Sequence, residues 1–305
     1  MQATYAAAFA KRGGREVEID ATSPNGHHLP VYRVAETTAY DFAALLSVVE
    51  DPMCVANVRR MPVLVGVLRA ARALSFEMQR KWAECIFDRM WSAKLDTLTR
   101  NSLPYAAVAL ALARTYDLRG VQKRASYEIL RMPTFWKTIV SPPAVLVEVQ
   151  EDSRVDADAE MGLGELPRTD LLRLLHAREK LVIAWAEIAG SAPTDFVCPR
   201  GTLTRIVPES GSGSSTSSSN DGRHSDCASA SVDRVNTRWV ELVHTTGLYV
   251  QRMNDPLMGL QDLMEIPWGE EGFCKECVAA RKNAWGESRN KLWNDLDVWM
   301  GLANV

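Results

Sequence analysis

Apolar positions along this chain recur mainly at helical spacing. In "TTAYDFAALLSVVE", residues 37–50, Phe42, Leu45, Leu46 and Val49 follow the i, i+3, i+4, i+7 rule, and Thr38 with Asp41 three residues on reads as a capping box. Upstream, "REVEID" and "LPVYRV" are β-branched or aromatic enough to read as one or two short strands leading into that helix. Residues 61–132 then read as two helical hairpins that copy one another. A shift of 42 residues lays Ala71 and Arg72 on Ala113 and Arg114, Leu74 on Tyr116, Phe76 on Leu118, Ala83 on Ala125, and Arg89-Met90 on Arg131-Met132. A helix pair of this kind cannot hide its apolar face alone, so each copy needs a neighbour to cover it.

Beyond "SPP" at 141–143 the pattern lapses. Glu148, Glu151, Asp152, Asp156, Asp158 and Glu160 make residues 141–166 an acidic, solvated connection. A long helix follows, with Thr169 or Asp170 at its start and Leu171, Leu174, Leu175, Leu181, Val182, Trp185 and Ile188 as its apolar stripe. Residues 207–226 are dominated by Gly and Ser and offer no packed face. Three helices close the chain. Val232, Val235, Trp239, Leu242 and Val243 mark the first, Asp255-Pro256 supplies a cap and an N1 proline for the second, and Trp285, Leu292, Leu296 and Trp299 share a face of the third. The expected fold is mainly α with few short strands: residues 1–100, a helical extension at 101–140, the acidic linker at 141–166, and a C-terminal helical region at 167–305 that carries the insert.

Composition narrows the function classes. The 305 residues are 47% hydrophobic, enough for a sizeable core, and the net charge of -3 leaves no basic footprint for nucleic acid. No apolar run is long enough to span a membrane, and the opening residues do not form a secretory signal, so an intracellular protein, cytoplasmic or nuclear, is expected. There is no Gly-x-Ser-x-Gly, phosphate loop, dinucleotide fingerprint or His-Glu-x-x-His, and His176 and His244 sit within amphipathic helices, so no enzyme is expected. Six cysteines do not make a disulfide scaffold in a chain of this size. Cys54 and Cys85 lie among apolar residues and read as core packing. Cys274 and Cys277, at the head of the last helix, have chelate spacing.

The order of segments resembles a known family. "VYRVAETTAYDFAALLSVVEDP" is similar to the second half of a BTB (POZ) domain, and "VLVGVLRAARALSFEMQRKWAECIFDRM" to the helical pair that ends it. The later "ALARTYDLRGVQKRASYEIL", "DLLRLLHAREKL" and closing "DPL", Cys-x-x-Cys and "LW" segments resemble basidiomycete fungal BTB-domain proteins over most of residues 28–302. The usual opening hairpin with its F-x-V-H-R motif has no counterpart, so the domain reads as truncated or divergent. The resemblance implies a non-enzymatic interaction module, an adaptor or scaffold whose partner is a cullin-type ubiquitin ligase, a transcriptional assembly or a second copy. A partner surface is expected near residues 51–61 and the arginines Arg69, Arg72 and Arg80.

In such fungal proteins two cysteines often precede the closing helices. The resemblance thus groups Cys198 and Cys227 with Cys274 and Cys277 as four candidate ligands of a structural zinc, with His224 as an alternative ligand. Simple thiols remain open beside zinc. So does a redox pair, although the strand-led βαβ setting of a thioredoxin-like switch is missing. A cysteine-dependent or metal-containing protein built on Cys274 and Cys277, or a decayed gene copy with little function, is the alternative to the interaction module.

Overall fold

The computed structural model describes residues 37–50, 61–132, 166–193, 198, 227, 229 and 231–303. All regular structure among them is helical, in ten α-helices with one 3-10 turn and one π-helical turn, and no strand occurs among the described residues. The mainly α expectation therefore holds for them. The two strand-like stretches, residues 51–60, the acidic connection, the Gly/Ser insert, Cys54 and His224 lie outside the described residues. No helix among the described residues is long and apolar enough to cross a membrane. The described chain falls into two units, divided between Ser92 and Ala93.

The first unit holds α1 (Ala39–Glu50), α2 (Met61–Ala73) and α3 (Glu77–Met90). Thr38 starts α1 as expected: its Oγ1 accepts the Asp41 N–H at 3.1 Å. The buried face of α1 is Asp41, Ala44, Leu45 and Val48, one position back from the expected stripe, and Phe42, Leu46 and Val49 are only half-buried. Gly66 on α2 explains the rotation. A Cβ there would stand 3.1 Å from Asp41 Oδ1 and 3.2 Å from Ala44 Cβ, so the two backbones approach at a glycine and select the face with small residues. Helix α2 packs against both α1 and α3 and buries Leu64, Val65, Val67, Leu68, Ala70 and Ala71.

The two hairpins carry the same turn. Between α2 and α3, the Phe76 N–H donates to Ala71 O at 2.8 Å and the Ser75 N–H to Arg72 O at 3.3 Å, with Ser75 at φ 57°. Forty-two residues on, the Leu118 N–H donates to Ala113 O at 2.7 Å and the Asp117 N–H to Arg114 O at 3.3 Å, with Asp117 at φ 53°. Nested bonds of this kind around a left-handed residue form a Schellman C-cap, which satisfies the last helical carbonyls and aims the chain into the next helix.

The second unit holds α4 (Ala106–Thr115), α5 (Arg119–Leu130), α6 (Arg168–Ala189), α7 (Val232–Trp239), α8 (Leu248–Gln251), α9 (Pro256–Glu265) and α10 (Lys275–Trp299). A single π-helical turn, Val240–Thr245, continues α7. Helix α5 is buried on every side from Val121 to Leu130, although Gln122, Lys123, Arg124, Ser126 and Glu128 are polar. Their charges are paired inside. Arg124 meets Glu128 at 2.8 Å and Lys123 meets Asp297 at 2.7 Å, while Arg131, just past the helix, meets Asp255 at 2.8 Å. Asp255 was expected to cap α9. It occupies that position before Pro256, but its carboxylate makes no cap and accepts the Tyr127 hydroxyl at 2.6 Å instead. The same hydroxyl accepts the Leu257 N–H at 3.2 Å and so performs the capping from another helix.

Helix α6 buries Leu174, Ala177, Leu181, Trp185 and Ala189, a stripe that shares only three residues with the expected one. Gly259 on α9 admits Trp185, which belongs to both stripes. A Cβ at that position would fall 2.5 Å from Trp185 Cη2, so the indole lies directly on the α9 backbone.

Candidate metal centre

Helix α10 positions two of the cysteines. Cys277 lies on the stripe that continues through Trp285, Leu292 and Leu296, all buried, so burial of the helix carries the thiol inward. Cys274 is the N-cap residue, extended at φ -71° and ψ 158°, and follows Gly272, whose φ of 90° turns the chain into the helix. That approach is fixed by aromatics. Trp268 stacks on Trp239 at 5.9 Å, meets Phe273 edge-on at 5.5 Å and Trp285 at 5.5 Å, and donates its indole N–H to Leu263 O at 2.8 Å. Trp239 in turn donates to Ala189 O at 3.2 Å, which ties the end of α6 to the cluster.

Against this end of α10 stand Cys198 and Cys227, both buried, from two separate stretches of chain. The four sulfurs of Cys198, Cys227, Cys274 and Cys277 all lie within 4.8 Å of one another. Cys274 Sγ is 3.3 Å from Cys277 Sγ and 3.9 Å from Cys198 Sγ, and the Cys274 N–H donates to Cys227 Sγ at 3.3 Å. None of them is in a disulfide. A tetrahedral zinc with Zn–S bonds of about 2.3 Å requires its sulfurs to be about 3.8 Å apart. The separations here, 3.3 Å, 3.9 Å and none above 4.8 Å, bracket that spacing.

Without a cation, burial opposes negative charge on these sulfurs, so the thiolate set that a metal would bind forms only with the metal's own charge. Burial pushes the Cys274 and Cys277 thiols up. At Cys227 burial acts in the same sense, but the Cys274 amide and the Ser229 hydroxyl and amide donate to its sulfur, and the net displacement is downward. The Ser229 hydroxyl is buried, has no conventional partner, and lies beside the sulfurs of both Cys227 and Cys277. Donors of this kind steady thiolate ligands around a metal. Buried neutral thiols, which are weak hydrogen-bonding groups, gain little from facing each other. With four protein ligands no coordination position stays open, so the chemistry this arrangement offers is structural.

The candidate ligands named from the sequence are thus brought together as a set. Sequence reasoning missed Ser229 and the tryptophan cluster; the signal for Ser229 was its place two residues after Cys227, whose sulfur its amide and hydroxyl reach. Cys85, expected in the core, is exposed on α3. Of the arginines expected to meet a partner, Arg69 and Arg72 are exposed on α2. Arg80 is instead held within α3 by Glu77 at 2.6 Å and Glu84 at 3.0 Å, so its charge is largely answered by its own helix.

Compared with known proteins, the chain matches no family model, no curated sequence and no solved structure.

Proposed function

We propose that this chain is a non-enzymatic helical interaction module whose second unit is stapled by one structural zinc ion bound to Cys198, Cys227, Cys274 and Cys277. The observation that carries the metal is the convergence of four sulfurs, from three separated stretches of chain, within 4.8 Å. Zinc fits the ligand set because soft thiolates in a tetrahedral S4 arrangement suit it, and four of them deprotonate readily around a divalent cation. The metal would join the start of α10 to Cys227 and Cys198, 47 and 76 residues before Cys274. Metal content of protein purified from zinc-supplemented medium tests this. One zinc per chain is expected, and metal-free protein would end the proposal.

The interaction half of the reading is supported by the order of segments that resembles BTB-domain proteins, and by the surface of the first unit. Tyr40 on α1 is 56% exposed and Met78 on α3 is 82% exposed, and Met78 borders a shallow apolar groove with Val48, Val49 and Trp82. Large apolar groups left in water on a small unit suit a polypeptide partner. The partners to test are a cullin N-terminal domain, by calorimetry, and a second copy, by sedimentation, each with Arg69→Glu and Arg72→Glu beside the unaltered chain. A monomer with no affinity for the cullin domain would remove this half and leave the zinc staple standing.

A further inference from the structure

The four cysteines are not equally placed. Cys198, Cys227 and Cys277 are 1%, 3% and 3% exposed, whereas Cys274 alone of the four is partly exposed. Its sulfur stands 3.3 Å from Cys277 Sγ and 3.9 Å from Cys198 Sγ. Cys274 and Cys277 occupy the N-cap and the third residue of one helix, so joining them needs only side-chain rotation and about 1.2 Å of sulfur movement to reach the bond length of about 2.05 Å. Cys227 lies 47 residues away in sequence and its sulfur is already engaged by the Cys274 amide and the Ser229 donors.

We infer that Cys274 is a modification site for hydroperoxides, and that its oxidation closes a Cys274–Cys277 disulfide that expels the zinc. This inference rests on the zinc reading above. The step balances with hydrogen peroxide as the two-electron oxidant. The Cys274 thiolate attacks one peroxide oxygen, the O–O bond breaks, and hydroxide leaves, giving Cys274 sulfenic acid. The Cys277 thiolate then attacks the Cys274 sulfur and displaces a second hydroxide. Two electrons leave the sulfur pair, both hydroxides take up protons as water, and the zinc loses two of its four ligands. Cys198 and Cys227 remain as thiols, and a dithiol reductant with zinc restores the site.

Redox state therefore controls the tie between α10 and the two earlier segments. The aromatic cluster that seats α10 contains no cysteine, so the helix stays in place while Cys198 and Cys227 lose their link to it.

Zinc content before oxidation, zinc released by hydrogen peroxide into a chromogenic chelator, and disulfide mapping by mass spectrometry together test the inference. Exposed Cys85 gauges the oxidant, and Cys85→Ser should leave the release unchanged. The expected result is one zinc per chain, released in step with a Cys274–Cys277 disulfide and recovered with dithiothreitol and zinc. Cys274→His offers the metal a nitrogen ligand while removing the accessible sulfur, and it should slow the release about tenfold. One zinc per chain with no release at peroxide levels that oxidise Cys85 would overturn the inference and spare the zinc staple. So would a disulfide that includes Cys198 or Cys227. Protein that purifies without zinc would overturn both. Should Cys274→His not fold, the mapped disulfide of the unaltered chain decides alone.

Discussion

Ser75 and Asp117 stand at the same point of the same turn, 42 residues apart, each in the left-handed region at φ 57° and φ 53°. Neither is glycine, the residue such a C-cap favours, because a Cβ in this region strains against the following carbonyl by about 1–2 kcal/mol. Ser75→Gly is therefore expected to stabilise the first unit by about 0.5–1 kcal/mol, after allowing for the greater freedom of glycine in the unfolded chain. Asp117→Gly should gain less, since aspartate visits this region more readily than serine. Urea midpoints compare the two variants. Destabilisation by Ser75→Gly would show that the serine side chain contributes more than its backbone strain takes away.

The Tyr127 hydroxyl of α5 binds the start of α9 twice, donating to Asp255 and accepting from Leu257, in a fully buried position. Tyr127→Phe leaves a buried carboxylate oxygen and a helix N–H each short of one partner, a loss of about 2 kcal/mol. The phenol also gives a pH signature. Burial, then the neighbouring Asp255 charge, raises its pKa well above the ordinary value of 10.0. The folded state holds this proton after the unfolded chain has lost it. The tyrosine's contribution is thus complete below pH 10 and declines as pH rises from there toward the folded-state value. Stability of the unaltered chain minus that of Tyr127→Phe should shrink above pH 10; a constant difference would count against the buried phenol.

At Gly259 the prediction is steric. A methyl group there would meet Trp185 Cη2 at 2.5 Å, Cζ3 at 2.6 Å and Arg252 Cβ at 2.9 Å. The indole cannot swing away freely, because its N–H is bonded to Tyr249 O at 2.8 Å. Gly259→Ala should cost about 2–3 kcal/mol by forcing α6 and α9 apart. Thermal melting followed by tryptophan fluorescence reads both the loss and the displaced indole. A neutral substitution would mean that the two helices separate without resistance.

The helices were legible because their apolar spacing is strong, and the 42-residue correspondence extended even to the turn bonds. Which face each helix buries was not. Gly66 rotates α1 by admitting Asp41 and Ala44 closely, and nothing in the pattern of α1 itself reports where its partner has a glycine. The two copies also diverge in environment. Ala83 and Phe87 are the buried residues of α3, and their counterparts Ala125 and Ile129 are buried in α5, yet α5 buries its polar residues as well. The charges that make this tolerable, Asp255 and Asp297, lie more than 100 residues away in sequence. The cysteine set was grouped by family resemblance, since only Cys274 and Cys277 have local spacing; the tryptophans that aim them looked like ordinary core.

Zinc removal should separate what the metal holds from what the core holds. The Trp239, Trp268, Trp285 and Phe273 cluster and the buried Leu292, Trp293 and Leu296 of α10 do not involve the sulfurs, so helix content should survive chelation. What is lost is a cross-link that closes a 76-residue loop between Cys198 and Cys274. By loop entropy alone such a link is worth about 4 kcal/mol. A strong chelator should therefore lower the thermal midpoint with little change in far-ultraviolet dichroism, and Cys198→Ser should reproduce the shift without chelator. Cys85→Ser, at an exposed site in the other unit, should not. A midpoint that stays put after complete zinc removal would mean that the four sulfurs hold nothing together, and collapse of the helices would mean that the aromatic core cannot seat α10 by itself.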